Sequence, residues 1–292
     1  MISEKDEERH PAGPGELWNE SYYFNFYDGQ TRTGGFTRIG LEGNRNRSNI
    51  WCLLIKGGRP SYQRFLLNLP HTETGFKKGI TVEGLTFRML EPLKKFKVEF
   101  KDGETEIDLL WEGFHPIKHF GESGEGLPEN MATGHYEQSG LVTGTFAVKG
   151  ETFDFIGTGA RDHSWGIRDW RALKGWMGSW PVFGKEGLFT FTCGRITLAD
   201  GTVRKLGFLF DGRENLEIAD SELKAEFAED GFTPQRVQLD LADEKGNRVK
   251  VEGKLIANFP LPYDNNILNE AMFEYRMGHR TGYGLFEYFV SP

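Results

Sequence analysis

Residues 157–170, GTGARDHSWGIRDW, crowd Arg161, Asp162, His163, Arg168 and Asp169 together with Trp165 and Trp170, and Trp176 and Trp180 follow closely. An imidazole among carboxylates is equipment for general acid–base chemistry, and indole faces steady a developing cation. A side chain that is to protonate a weakly basic substrate must be held against an apolar pocket, where water cannot level its acidity. A desolvated carboxylic acid, or an imidazolium supported by a carboxylate, meets that need. The candidates for handling the proton are therefore His163 with Asp162, Asp169 or Glu137. Trp165, Trp170 and Trp176 are candidates for shaping a substrate cavity, and Arg161 for fixing a polar tail or a nearby carboxylate. The structural alternative makes Arg161, Asp162, Arg168 and Asp169 a buried salt-bridge network where two halves of the chain join.

A second cluster, GHYEQSG, offers His135, Tyr136 and Glu137. Tyr136 with Glu137 reads either as an acid–base pair at a substrate site or as the polar face of an edge strand. His115 and His119 in FHPIKHF are four apart, but Pro116 opposes the helix that would aim both at one metal. No metal-ligand spacing, dinucleotide loop, P-loop or Gly-x-Ser-x-Gly elbow appears, so no cofactor and no metal is expected. Cys52 and Cys193 sit in apolar runs and read as buried reduced thiols.

The elements that must position these residues are strands. FKVEFKDGETEIDLLW alternates on either side of Asp102-Gly103, and TFAVKGETFDF does so around Lys149-Gly150. RVQLDLADEKGNRVKVEG turns at Lys245-Gly246-Asn247, and ITLADGTVRKLGFLF at Asp200-Gly201. Such turns between alternating runs are hairpin signals. In an extended segment Arg161, His163 and Trp165 share one face, and Asp162 and Ser164 take the other. NNILNEAMFEYRM fits a helix through Ile267, Leu268, Ala271, Met272 and Tyr275, and equally a strand through Ala271, Phe273, Tyr275 and Met277. The fold class expected is all-β, in two barrel-like antiparallel halves: a flexible leader over 1–14, one domain over 15–156 and another over 157–292.

Aromatic residues make up 14% of the 292, and the 38 glycines suit a chain of short strands and turns. A net charge of -8 repels phosphate backbones, so nucleic acid is not an expected partner. The arginines of TRIGLEGNRNRSNIW read as a solvated loop. The longest clear apolar run, IWCLLI, is far too short for a membrane span, and the charged N-terminus lacks a signal region. A cytoplasmic protein is expected, and the oligomeric state stays open.

GTGARDHSWGIRDW resembles the hallmark of the lipocalin-like family that contains carotenoid 1,2-hydratase (hydroxyneurosporene synthase), AttH-like proteins and certain fungal hydratases and cyclases. Its Asp-His-x-Trp-Gly core is matched by Asp162, His163, Trp165 and Gly166. HYEQSGLVTGTFAVKG upstream and GHRTGYGLFEY near the C-terminus are also similar. The resemblance implies two lipocalin-like β-barrel halves with a ligand cavity near their junction. It also implies non-redox chemistry on a lipophilic molecule, namely hydration or dehydration of alkenes, isomerisation or cyclisation; the reading favoured is a cofactor-free enzyme acting on a terpenoid, steroid or polyketide-like substrate. His163 and Trp165 would sit in the active site. The family's Tyr and Asp on a following strand find only Thr190, Thr192 and Cys193 in EGLFTFTCGRI, a departure that argues against simple carotenoid hydration. The other reading is a lipocalin-like binding protein that holds a hydrophobic ligand without chemistry.

Overall fold

The computed structural model describes residues 2–103, 105–120, 127–184, 187–263 and 265–290. They are strands almost throughout, with three short 3-10 turns, at Glu4–Glu7, Gly43–Arg45 and Trp170–Ala172. Among the described residues no helix is long and apolar enough to cross a membrane. Two compact units result: Met1–Gly57 with Ser61–Asp169, and Gly58–Pro60 with Trp170–Pro292.

The first unit carries β1 (Trp18–Asp28), β2 (Thr33–Glu42), β3 (Arg47–Lys56), β4 (Arg59–Pro70), β5 (Ile80–Val82) and β6 (Leu85–Glu91). It continues with β7 (Lys95–Asp102), β8 (Thr105–Gly113), β9 (Lys118–His119), β10 (Gly134–Val148) and β11 (Glu151–Ile167). They form one sheet in the order β4-β3-β2-β1-β11-β10-β8-β7-β6-β5, with β9 against β10. The sheet curls around a single core, because Ile50, Cys52 and Leu54 of β3 share a cluster with Ile80 of β5 at its far end.

Strands β10 and β11 are the longest hairpin of this unit. Lys149 and Gly150 turn it with φ of +53° and +77°, the left-handed pair that a two-residue hairpin loop requires. That turn sets a ladder running from Val148 opposite Glu151 to Gly134 opposite Trp165. On the other side β11 pairs with β1, placing His163 opposite Tyr22 and Trp165 opposite Glu20.

The second unit is a closed eight-stranded barrel in simple chain order, the size whose interior side chains fill. Its strands are β12 (Leu173–Phe183), β13 (Phe189–Leu198), β14 (Val203–Phe210) and β15 (Asn215–Phe227), then β16 (Pro234–Asp243), β17 (Arg248–Tyr263), β18 (Asn266–Met277) and β19 (Arg280–Val290). Phe191, Cys193, Leu239, Phe273, Tyr275 and Phe286 lie in its core. The ambiguous segment 266–277 is a strand. It completes the barrel by pairing with both β17 and β19, and Ala271, Phe273 and Tyr275 face inward.

Two expectations about the chain's organisation meet a different arrangement. The whole RDHSWG motif lies on β11 of the first unit, and the units part at Asp169/Trp170 rather than at residue 156. Gly157 and Gly159, at the expected boundary, lie inside β11, where an added Cβ would strike the β1 backbone at Tyr27 and Asn25. The leader expected over 1–14 holds Glu7 at zero exposure. Both cysteines are buried and unpaired.

Candidate active site

Alternation on three adjacent strands builds the site. From β1 come Glu20, Tyr22 and Phe24, from β11 Arg161, His163 and Trp165, and from β10 Tyr136 and Gln138, all on one face by register. Two glycines make the space. Gly134 stands opposite Trp165, and a Cβ there would enter the indole ring. Gly166 holds φ at +132° against the backbone of Thr133, a position that a larger residue would both strain and fill.

His163, with no solvent exposure, sits between a carboxylate and a phenol. Its Nε2 lies 2.9 Å from Glu20 Oε1 and its Nδ1 3.0 Å from the Tyr136 hydroxyl. His10 approaches the same carboxylate oxygen through Nδ1 at 2.8 Å, and its backbone N–H donates to Glu20 at 3.0 Å. Tyr22 stacks on His163 with ring centroids 4.2 Å apart, and Trp165 stacks on His10 at 3.9 Å. Burial alone would raise the Glu20 pKa, but hydrogen bonds from His10 and His163 outweigh it and leave the carboxyl below its ordinary range. Burial drives Tyr136 well above the ordinary phenol value, and the Glu7 charge adds to the rise. The Tyr22 hydroxyl is buried without a hydrogen-bond partner, and burial raises its pKa too.

Next to this group the Arg161 guanidinium grips Glu7 with both outer nitrogens, at 2.7 and 3.1 Å. Gln138 Oε1 accepts from Arg161 Nε and Nη2 at 3.1 and 2.9 Å. Phe96, Tyr136 and Trp111 surround the guanidinium, with ring centroids 4.0, 5.3 and 5.5 Å away. The Leu93 backbone N–H also donates to Glu7. Arg161 is thus committed to a carboxylate of its own chain, the second of the two roles expected of it, and not to a substrate tail.

The carboxylates expected beside His163 lie elsewhere. Glu137 and Asp162 are paired across β10 and β11 on the opposite face of the sheet. There Glu137 Oε1 lies 3.1 Å from His135 Nε2, while Ser164 meets Ser21 at 3.0 Å and Arg168 at 2.6 Å. Burial disfavours the His135 charge, but the bond to Glu137 and the Asp162 charge prevail and raise its pKa. Asp169 lies beyond the end of β11, its backbone N–H donating to Asn130. The reason is geometric: a strand sends adjacent residues to opposite faces. The neighbour of His163 in space is Glu20, remote in sequence.

Trp170 and Trp176 belong to the second unit. On the outer wall of the barrel Trp176 stacks on Phe289 at a centroid distance of 4.2 Å and Trp170 meets the same ring tilted at 5.4 Å, and the Trp176 indole N–H donates to Glu287 at 2.6 Å. Beside them a recess of about 150 Å³ is lined by Trp176, Met177, Arg195, Tyr288 and Phe289. His115 is locked as a neutral tautomer, since Nδ1–H donates to the Pro116 carbonyl and Nε2 accepts from the Ser139 N–H.

A family model described as a domain of unknown function, DUF7064, matches residues 3–290, nearly the whole chain. The chain belongs to the DUF7064 family. No curated protein matches it in sequence. Among solved structures, kievitone hydratase from Nectria haematococca is similar to the DUF7064 chain with a TM-score of 0.68 at 11% identity, covering 100% of this chain and 93% of that one. CghA, solved with Sch210972, gives 0.64 at 11% identity over 94% and 89%. A protein assigned to AttH from Nitrosomonas europaea gives 0.62 at 12% identity over 96% and 94%. These likenesses establish the fold that the RDHSWG resemblance implied: two lipocalin-like halves in one chain.

The residues of this site not singled out from sequence include Glu7, His10 and Glu20, which carry its charge. Glu20 had a signal. In WNESYYFNF it falls in phase with Tyr22, Phe24 and Phe26, a lone charge on an apolar strand face. Glu7 and His10 lie in a segment without periodicity, placed only by the contacts they make in the folded unit.

Proposed function

We propose that this chain is an enzyme that moves a proton on a lipophilic small molecule, within the hydratase/dehydratase, isomerase or cyclase classes. The observation that carries the reading is His163, fully desolvated and hydrogen-bonded on both nitrogens, to Glu20 and to Tyr136. Glu20 fixes the imidazole with its proton on Nε2 and stabilises the imidazolium. Nδ1 is then left to take a proton from the Tyr136 hydroxyl or return one to it, and Tyr136 presents that proton to substrate. Trp165 offers a π face 6.1 Å from the Tyr136 ring, where positive charge would develop. Kievitone hydratase, a hydratase by name and similar in fold, agrees with this class of chemistry. Tyr136 and His163 are covered in the structure, and the segment bearing Glu7 and His10 supplies part of the cover. Substrate entry on this reading requires that segment to lift.

A cytoplasmic location suits the two unpaired thiols, and a small molecule, not nucleic acid, suits the negative net charge. The second reading, a carrier of a hydrophobic ligand, is favoured by the aromatic recess of the second unit. Native mass spectrometry of the purified protein separates the two. Incubation with its co-purified ligand should return a product differing by the mass of water, or an isomer with a new retention time. A ligand recovered unchanged after prolonged incubation would favour the carrier.

A further inference from the structure

We infer that His10 Nδ1, Glu20 Oε1 and His163 Nε2 form a three-ligand site for a divalent ion of the zinc class. The three ligand atoms lie within 4.8 Å of one another, and both imidazoles point at the same carboxylate oxygen, from 2.8 and 2.9 Å. Ligand atoms on a tetrahedral zinc, with bonds of about 2.0–2.1 Å, stand about 3.3 Å apart, so to admit the ion each nitrogen–oxygen distance opens by about half an ångström and the two imidazoles, now within 4.8 Å of each other, adjust around it. Two imidazoles and one carboxylate are a donor set suited to zinc, leaving a fourth position for water or another ligand.

The surroundings are those of metal-binding histidines. Such residues turn their second nitrogen to a carboxylate or another polar partner, which fixes tautomer and ring orientation. Here His10 presents Nε2 to Asp6 Oδ1 at 3.7 Å, and His163 presents Nδ1 to the Tyr136 hydroxyl at 3.0 Å. Both inner nitrogens therefore face the common point and both outer ones are partnered. The stacks of Trp165 on His10 and Tyr22 on His163 hold the rings in place. Local sequence spacing misses such a site, because its ligands come from a connecting segment and two different strands.

Binding the ion displaces the two protons that the imidazoles share with Glu20, so an occupied site and a working His163–Glu20 pair exclude one another. The metal site is tested without substrate, so its failure leaves the acid–base reading intact, and failure of that reading leaves the metal site standing.

The test is calorimetric titration of zinc chloride into the chelator-treated full chain, with cobalt(II) as a spectroscopic stand-in. One equivalent should bind per chain and raise Tm, and cobalt should develop the visible absorption of a tetrahedral N/O site. His10→Gln, on the connecting segment and away from the sheet ladder, should weaken zinc about 100-fold while Tm without zinc stays near the parent value. Should His10→Gln unfold the protein, the cobalt spectrum and the stoichiometry of the parent chain decide instead. Absence of saturable zinc binding overturns the proposal. So does zinc binding untouched by His10→Gln, or lost equally on replacing the exposed His279 by Gln.

Discussion

Glu7→Gln is expected to destabilise the first unit by about 3–5 kcal/mol, the usual cost of stranding one member of a buried ion pair. Glu7 and Arg161 are 0% and 1% exposed, so solvent screens neither charge. Without the carboxylate the guanidinium keeps Gln138 and its aromatic cage but has no counter-charge. Arg161→Met should cost a similar amount by leaving the Glu7 carboxyl in the core without its counter-charge. The double variant, Glu7→Gln with Arg161→Met, should recover part of the loss, because no buried charge remains. Urea denaturation followed by tryptophan fluorescence measures all three. A loss under about 1 kcal/mol for Glu7→Gln would mean that the N-terminal segment leaves the site readily and that water reaches Arg161.

Glu20→Gln should lower turnover by about 10²–10⁴-fold, the range for losing a group that sets the tautomer and charge of a catalytic histidine. The amide can still accept the Nε2 proton, so the packing of Tyr22 and Trp165 is preserved, but it cannot stabilise an imidazolium. Asp162→Asn and Glu137→Gln, on the other face of the sheet, should leave turnover within a factor of about two. Steady-state rates for the three variants assign the carboxylate. Loss of activity in Asp162→Asn with Glu20→Gln unaffected would place the chemistry on the opposite face.

Much of this fold is legible in the sequence, because hairpin turns and alternation are local. Lys149-Gly150 fixes the β10–β11 register that joins Tyr136 to His163, and alternation alone puts Arg161, His163 and Trp165 on one face. The same alternation sends Asp162 away from His163, so adjacency in sequence was the wrong guide to its partner. Glu20 pairs with His163 only because β11 lies beside β1, a pairing between distant segments that no local pattern reports. His10 and Glu7 are harder still. They belong to no strand, and their positions follow from Arg161 and Glu20, the groups they satisfy. The units part at Asp169/Trp170 and not at residue 156, because β11 runs on through Gly157 and Gly159, which serve close strand packing.

The central claim is that His163, through Tyr136, moves a proton on a lipophilic substrate. Its most direct test is the reaction of the co-purified ligand, or of lipophilic alkenes and enols, in deuterium oxide, followed by mass spectrometry. The parent chain should give product carrying one carbon-bound deuterium, and folded His163→Gln should form it about 10²–10⁴-fold more slowly. Deuterium incorporation by His163→Gln at the parent rate would contradict the account.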